Sequence, residues 1–389
     1  MRFIRFFLPL SFALACCSPM DSFQIEGIGY TVLHSETANF SQVKNFNPII
    51  GDYMKYHPFV DKNLTFRVAA LSYATVDPKG NPVEASGLVY HPISKKSKGV
   101  IDFMPTAHIH SDGGGTDEVY IVEGLLITLG YTVIVPDLIG SGVSKDMPIP
   151  FLMAENTGRV SYDMRRAAAQ YLWDEFRYVL PVETKVLGYS LGGSAALSTQ
   201  KYYETHHSDK IKITEVYTGG GAYDLPSAFD AFAHSAYTVY PAVPSVIIAF
   251  NHYYNLNLDF SKIFKGELLN HYLEWYNGDY NYSAIMDWIG TDMHAYMHED
   301  FFKPFDQQNE EFKKLYPHLI ENSLSEGWRP KAPIYLIHAI DDSHVPLQNA
   351  EATVKKLRKA GANISFIAYP GDHLTVANFY FLRTLLKFS

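Results

Sequence analysis

The sequence of 389 residues predicts an α/β fold, with a mostly parallel central sheet, helices on both faces and an inserted helical cap. Two observations favour this class. Short apolar and β-branched runs alternate with longer amphipathic stretches along most of the chain, which is typical of a parallel sheet covered on both faces. Between residues 223 and 328 this alternation stops, and an aromatic-rich stretch of several helices with Asn and Gly breaks is predicted.

Residues 1–20 resemble a bacterial lipoprotein-type signal peptide. Two arginines precede an apolar run over residues 6–15 that is too short to span a membrane as a helix. The two cysteines of the chain, Cys16 and Cys17, follow this run, and either could be the residue that is lipidated. An ordinary secretory signal with incidental cysteines is the alternative. We expect an exported protein, held by an N-terminal lipid anchor in the bacterial cell envelope, in the periplasm or at the outer membrane.

The main domain is predicted over residues 64–222 and 329–389. Residues 21–63, before it, have a weak pattern and are expected to form a linker and an irregular N-terminal extension. The domain opens with two strands, 65–75 and 83–91, joined by the turn sequence Asp-Pro-Lys-Gly-Asn. We expect this pair to form a hairpin at the edge of the sheet.

The rest of the main domain reads as alternating strands and helices. Strands are predicted over residues 100–103, 131–136, 185–187, 213–217, 332–338 and 363–369. Helices are predicted over residues 116–129 and 159–176, from Gly192 onward, and over residues 375–387. Open sheets of this kind place their sites in the loops at the carboxyl ends of the strands.

The pattern Gly-x-Ser-x-Gly over residues 188–192 lies between a predicted strand and a predicted helix. A serine in such a sharp turn presents its hydroxyl above the sheet, and small neighbours let the chain bend without clashes. Ser190 is therefore a candidate nucleophile. The backbone N–H of Leu191, at the start of the helix, is a candidate donor to an oxyanion. The alternative is an ordinary helix start with chance glycines.

Two polar clusters follow the last two predicted strands. Residues 341–346 read Asp-Asp-Ser-His-Val-Pro, and residues 371–373 read Gly-Asp-His. Together with the serine motif they give the order serine, acid, histidine and resemble the α/β-hydrolase superfamily. A run of Gly-Tyr-x-Val, Pro-Asp and Gly-x-Gly over residues 130–142 extends the resemblance toward the N-terminal half.

The resemblance implies that Ser190, His373 and Asp342 act together as nucleophile, base and acid. Asp342, rather than Asp341, precedes x-x-Val-Pro as the superfamily's acid does. His373 would accept the serine proton during attack on an acyl carbon, and Asp342 would hold the imidazole tautomer. A solvated turn at the two aspartates and a capping residue at His373 are the alternatives.

The loop after the strand at 100–103 is less informative. In the α/β-hydrolase superfamily, this loop usually supplies the second backbone N–H that donates to the oxyanion, often beside a His-Gly pair. The loop of this chain has no His-Gly pair, so Thr106 and Ala107 are candidates by position only. Residues 108–112 read His-Ile-His-Ser-Asp and resemble the start of the metal motif of metallo-β-lactamase-like hydrolases. Gly113 stands where that family has a further histidine, and no matching ligand set follows. We predict neither a metal nor a cofactor.

These features imply a serine hydrolase that cleaves carboxylic esters of a small molecule, lipid or sugar through an acyl-enzyme. Residues 85–92 and the predicted cap at 223–328 resemble the secretory lipase and esterase branch. One alternative is a serine peptidase of the prolyl-oligopeptidase type, although residues 1–99 are too few for its β-propeller. A non-catalytic ligand-binding lipoprotein is another. The net charge of −9 and the scattered basic residues argue against nucleic acid as a partner.

Overall fold

The computed structural model describes three stretches of the chain, namely residues 25–46, 60–106 and 121–389. The expected signal peptide at 1–20 lies outside the described residues, as do Ala107 and the motif at 108–112. Within the three stretches, no helix combines the length and the apolar character that a membrane span requires.

A central sheet of nine strands organises the described residues. The strands are β1 (Tyr30–Asn39), β2 (Thr65–Val76), β3 (Pro82–Pro92), β4 (Val100–Met104), β5 (Thr132–Pro136), β6 (Glu183–Tyr189), β7 (Lys212–Gly219), β8 (Ile334–Ala339) and β9 (Ile364–Tyr369). Their order is β1-β2-β3-β5-β4-β6-β7-β8-β9. The strands from β5 to β9 in this order run parallel, whereas β1, β2 and β3 pair in antiparallel fashion and β3 is antiparallel to β5. The predicted fold class is confirmed.

Helices cover both faces of the sheet. Outside the stretch between β7 and β8, the helices are α1 (Phe40–Phe46), α2 (Ile121–Thr128), α3 (Ala154–Phe176), α4 (Leu191–His206), α10 (Leu347–Lys359) and α11 (His373–Phe388). One buried apolar cluster includes side chains of α3, α4 and α10, and a second includes side chains of α1, α2 and α11. The central parallel strands β4 and β5 are therefore buried on both sides, which explains why their sequences are continuous apolar runs, whereas the edge strand β9 is largely accessible.

The stretch between β7 and β8 forms a helical insertion, residues 223–328, with no strand among its described elements. Its helices are α5 (Leu225–Ser235), α6 (Ala242–Tyr254), α7 (Gly266–Trp275), α8 (Tyr282–Ile289) and α9 (Glu310–Glu321). Fully buried side chains such as Ile247, Phe250 and Phe264 form an apolar cluster of its own. Most of the buried aromatic residues of the insertion thus belong to the insertion's own core.

The expectation of an irregular extension at residues 21–63 is wrong for the part that the structure describes. Strand β1 pairs with β2 from Tyr30 opposite Tyr73 to Asn39 opposite Thr65. Only Ala38 of β1 is buried, so the strand shows no apolar alternation and gives no periodic signal. The β2–β3 hairpin is confirmed, but it is not at the sheet edge, because β1 covers β2.

A buried ion pair anchors α3 to the sheet. Arg165 donates from Nη1 to both carboxylate oxygens of Asp102 on β4, at 2.9 and 3.0 Å, and from Nη2 to the carbonyl of Pro181 at 2.7 Å. Both charged side chains are at most 2% exposed. Thr184 on β6 adds a hydroxyl 3.3 Å from the same carboxylate. The pair therefore links α3 to β4 and to β6, the strand that leads to Ser190.

Replacing Arg165 with Met should lower the free energy of unfolding by about 3–5 kcal/mol, because Asp102 would remain as a buried charge without its partner. Chemical denaturation of the purified protein measures this loss. Arg166→Met is the matched control, since that arginine lies 3.5 Å from Asp163 in a partly exposed pair and should cost about 1 kcal/mol or less. Equal losses of unfolding free energy in the two variants would contradict the conclusion that the Arg165–Asp102 pair anchors α3. The double change Arg165→Met with Asp102→Leu should recover most of the stability.

Candidate active site

Ser190 occupies the sharp turn between β6 and α4. Its backbone lies at φ 60° and ψ −126°, a strained conformation for a residue with a side chain. The N–H of Ser190 donates to the carbonyl of Gly219 at the end of β7, at 2.9 Å. A Cβ on Gly188 would lie 2.1 Å from the carbonyl oxygen of Gly192, so this turn requires glycine. The strand, turn and helix expected from the sequence are present.

The loop after β4 passes directly beside this turn. A Cβ on Gly192 would lie 2.3 Å from the carbonyl oxygen of Met104 and 2.6 Å from that of Pro105. Thr106 follows at once and is partly buried. On the other side, Leu191 is the first residue of α4, and its N–H has no acceptor within the helix. Of the three candidate oxyanion donors, Ala107 lies outside the described residues.

The structure brings His373 between Ser190 and Asp342. Its Nε2 lies 2.9 Å from Ser190 Oγ, and its Nδ1 lies 2.7 Å from Asp342 Oδ2. An ionised carboxylate only accepts, so the proton of a neutral imidazole belongs on Nδ1, and the Nε2 lone pair faces the hydroxyl. His373 is the first residue of α11 and is 3% exposed. Its carbonyl accepts a hydrogen bond from Tyr189 Oη at 2.7 Å, which fixes the backbone beneath the imidazole.

Asp342 is held as an anion by the loop that follows β8. Burial by itself would raise the pKa of Asp342, but hydrogen bonding from His373, the nearby histidines and the N–H of Val345 outweigh it and lower that pKa. Its Oδ1 accepts from the N–H groups of His344 at 3.0 Å and Val345 at 2.9 Å. Asp341 is exposed and makes no such contact with His373 in the structure. The structure thus brings Asp342, and not Asp341, to the histidine.

Two further histidines border the carboxylate, and neither is among the site residues expected from the sequence. His338 on β8 is fully buried, donates from Nε2 to the carbonyl of Val345 at 2.9 Å, and lies 3.5 Å from Asp342 Oδ2. Burial lowers the pKa of His338, so the ring is neutral near pH 7. His344 stacks on His373, with ring centroids 4.6 Å apart and planes 18° apart. Two features of the sequence could have pointed to these histidines. His338 lies inside an apolar strand, and His344 follows Asp342 by two positions.

A narrow apolar cavity begins beside the residue that follows the serine. It has a volume of about 20 Å³, which is room for one or two water molecules. Its walls come from the start of α4, from the segment before α3 and from the end of the insertion, and they include Leu191, Ala195, Ile149, Phe151, Leu152 and Leu324. A wider, polar cavity of about 470 Å³ shares Asn156, Ser198 and Asn322 with it.

One group of side chains in the described stretches could hold a metal ion. It consists of Asp342, His344 and His373, whose ligand atoms lie within 4.8 Å of one another. The motif at 108–112 lies outside the described residues, so the structure does not bear on its histidines.

Several solved structures share this architecture. A protein from Legionella pneumophila is 19% identical with a TM-score of 0.78, and the alignment covers 93% of this chain and 96% of the other. The rice cell wall degrading esterase LipA from Xanthomonas oryzae is 20% identical, with a TM-score of 0.74 and coverage of 92% and 96%. Candida antarctica lipase A is 16% identical, with a TM-score of 0.58 and coverage of 89% and 78%. No curated protein sequence gives a significant match.

The sequence itself also matches a family. The model described as secretory lipase aligns with residues 114–377, a range that contains Ser190, Asp342 and His373. The neighbours above include an esterase and a lipase, and their common architecture is the α/β-hydrolase fold. The chain therefore belongs to the secretory lipase family.

Proposed function

We propose that the protein is a serine hydrolase that cleaves carboxylic esters through an acyl-enzyme, with Ser190, His373 and Asp342 as its catalytic triad. The observation that carries this proposal is the continuous hydrogen-bonded path from Ser190 Oγ through His373 to Asp342, at 2.9 and 2.7 Å. Membership of the secretory lipase family supports an ester-hydrolysing, exported enzyme.

In the first half of the reaction, Ser190 Oγ bonds to the acyl carbon of the ester while its proton moves to Nε2 of His373. The imidazolium that forms is stabilised by the Asp342 carboxylate, 2.7 Å from Nδ1. His373 then gives the Nε2 proton to the departing alkoxide as the tetrahedral centre collapses. In the second half, water takes the place of the alcohol, and the same proton transfers release the carboxylic acid and restore Ser190.

In both halves of the reaction, hydrogen-bond donors must stabilise the negative charge that develops on the carbonyl oxygen of the substrate. We assign one to the N–H of Leu191, where the N-terminus of α4 also contributes its positive dipole end. The backbone of the loop after β4 would supply the second, from Thr106 or Ala107, because this loop passes against Gly192 beside the nucleophile. Removal of one such donor typically costs about 100- to 1,000-fold in turnover.

The helical insertion would act as a cap over this site, on a catalytic domain formed by residues 64–222 and 329–389. The carbonyl of Ser343, next to the acid, accepts from the N–H of Val239 at 3.3 Å and from the hydroxyl of Thr238 at 3.2 Å. The ring of Tyr240 lies 6.1 Å from that of His344. The insertion is therefore in contact with the acid loop, where it can restrict which esters enter.

The apolar cavity beside Leu191 would take the acyl group of the ester. Its volume of about 20 Å³ favours a short acyl chain, because further methylenes would have no room without displacement of its wall. The alcohol part, on a small molecule, a lipid or a sugar, would extend toward the insertion. An N-terminal lipid on Cys16 or Cys17 would hold the enzyme at a membrane of the cell envelope.

A panel of chromogenic esters and aminoacyl amides tests the reaction. We expect cleavage of the esters and covalent labelling of the protein by a fluorophosphonate. Ser190→Ala should lose the labelling and about 10⁶-fold in turnover, since the nucleophile is gone. Ser208→Ala, at an exposed serine, should behave as the wild type. Cleavage of amides alone would favour the peptidase alternative, and no cleavage at all would favour a non-catalytic binding protein.

The identity of the acid is tested by a pair of neighbouring substitutions. Asp342→Asn should reduce turnover by roughly 10⁴-fold, because an amide no longer enforces the imidazole tautomer with its proton on Nδ1. Asp341→Asn, with the same chemical change on the exposed neighbour, should have little effect. Steady-state rates on one ester measure both variants. A larger loss at Asp341 than at Asp342 would contradict the proposed triad.

The size of the acyl cavity should set the chain-length preference. We expect the wild type to favour acetyl and propionyl esters over octanoyl esters by about tenfold or more in kcat/KM. Phe151→Ala removes a large side chain from the cavity wall and should shift the preference toward longer chains. Phe301→Ala, in the insertion core and outside this wall, controls for lost stability. A preference for long chains in the wild type would show that the acyl group binds elsewhere.

A further inference from the structure

The rim of the proposed triad carries an unused imidazole. His344 stacks on His373 at 4.6 Å, and its Nδ1 is buried without a hydrogen-bond partner among the described residues. Its backbone N–H donates to Asp342, which fixes the residue beside the carboxylate. The mechanism proposed above gives the His344 side chain no task, although its ring faces the catalytic base.

The three side chains together form a ligand set. One carboxylate oxygen of Asp342 and one ring nitrogen from each of His344 and His373 lie within 4.8 Å of one another. Two imidazoles and a carboxylate suit Zn²⁺, whereas Mg²⁺ and Ca²⁺ prefer oxygen ligands. The carboxylate of Asp372 also acts electrostatically on His344, so two acidic groups favour a cation at this point.

We propose that Asp342, His344 and His373 form an inhibitory site for Zn²⁺, so that binding of the ion reversibly switches off the hydrolase. The inference of inhibition rests on the proposed function of His373 as the base, but the binding site does not. Water would complete the four-coordinate shell that zinc prefers.

Occupancy by zinc removes the base whichever nitrogen of His373 the ion takes. If Zn²⁺ binds Nε2, the lone pair that faces Ser190 is used. If Zn²⁺ binds Nδ1, the single proton of the neutral ring must move from Nδ1 to Nε2, which then donates and cannot accept the serine proton. In both cases Ser190 loses its proton acceptor while the ion is present. Removal of the ion restores the hydrogen bonds at 2.9 and 2.7 Å that the structure describes.

The ion is not needed to build the loop. Asp342 Oδ1 is already satisfied by the N–H groups of His344 and Val345, and His338 supports the carbonyl of Val345 at 2.9 Å. The loop is therefore ordered without metal. Zinc at bond lengths of about 2.0–2.1 Å would draw the three ligand atoms, now within 4.8 Å of one another, closer together, and would turn the stacked rings of His344 and His373 toward the ion. This arrangement predicts reversible inhibition and not a requirement for zinc.

The test titrates the purified full-length protein with Zn²⁺ during ester hydrolysis and measures Zn²⁺ binding by calorimetry on the same sample. We expect inhibition by Zn²⁺, recovery of the rate with a chelator, and no inhibition by Mg²⁺ or Ca²⁺ at the same concentrations. His344→Phe keeps a flat ring against His373 but removes the ligand nitrogen. The half-inhibiting zinc concentration should rise by at least about tenfold, as judged against that variant's own zinc-free rate.

His234→Phe is the matched control, because His234 is an exposed histidine beside Asp230 on the insertion. It should be inhibited like the wild type. Equal inhibition of His344→Phe and the wild type would overturn the proposal, and so would an equal calorimetric affinity of the two proteins for Zn²⁺. If no ester is cleaved, the proposed function fails, whereas the calorimetric comparison of wild type and His344→Phe still decides whether the zinc site exists.

Discussion

The turn at Ser190 is the constraint on which the rest of the site depends. The chain leaves β6 and enters α4 so abruptly that Ser190 adopts φ 60° and ψ −126°, at a cost of about 1–3 kcal/mol. Backbone passes within contact distance of Gly188 and Gly192, so neither position has room for a side chain. A buried sheet and a buried ion pair at Arg165 offset this strain. The strained turn holds the Ser190 hydroxyl in a fixed position above the carboxyl ends of the parallel strands.

The partners of that hydroxyl come from distant parts of the chain, and strand register brings them to the same edge. Gly188 on β6 pairs with Thr218 on β7, which pairs with Leu336 on β8. The loops after β8 and β9 therefore lie at the height of the serine turn. The first loop holds Asp342, and the second leads into His373, the first residue of α11. Hydrogen bonds at 2.7 and 2.9 Å need placement to a fraction of an ångström, which parallel pairing across four neighbouring strands can supply.

Much of this could be predicted because the relevant motifs are local. Apolar runs identify strands buried on both faces, and glycines around Ser190 reveal a turn that few other sequences allow. Strand β1 could not be predicted in this way, since it is largely solvated and is held by backbone pairing to β2, which leaves no side-chain periodicity. His338 could not be predicted either. A histidine inside an apolar strand has the sequence pattern of a core residue, and only the structure shows that it lies beside Asp342. Thr106 remains a positional prediction, as a backbone donor has no sequence signature.

The contact between the insertion and Ser343 has a consequence for how these two parts of the chain can move. Thr238 and Val239 hold the carbonyl of the residue that directly follows Asp342. A movement of the insertion away from the sheet would break these hydrogen bonds or pull the acid loop with it. The insertion and the acid loop are thus mechanically linked, and a displacement of one would be transmitted to the other through the backbone of Ser343.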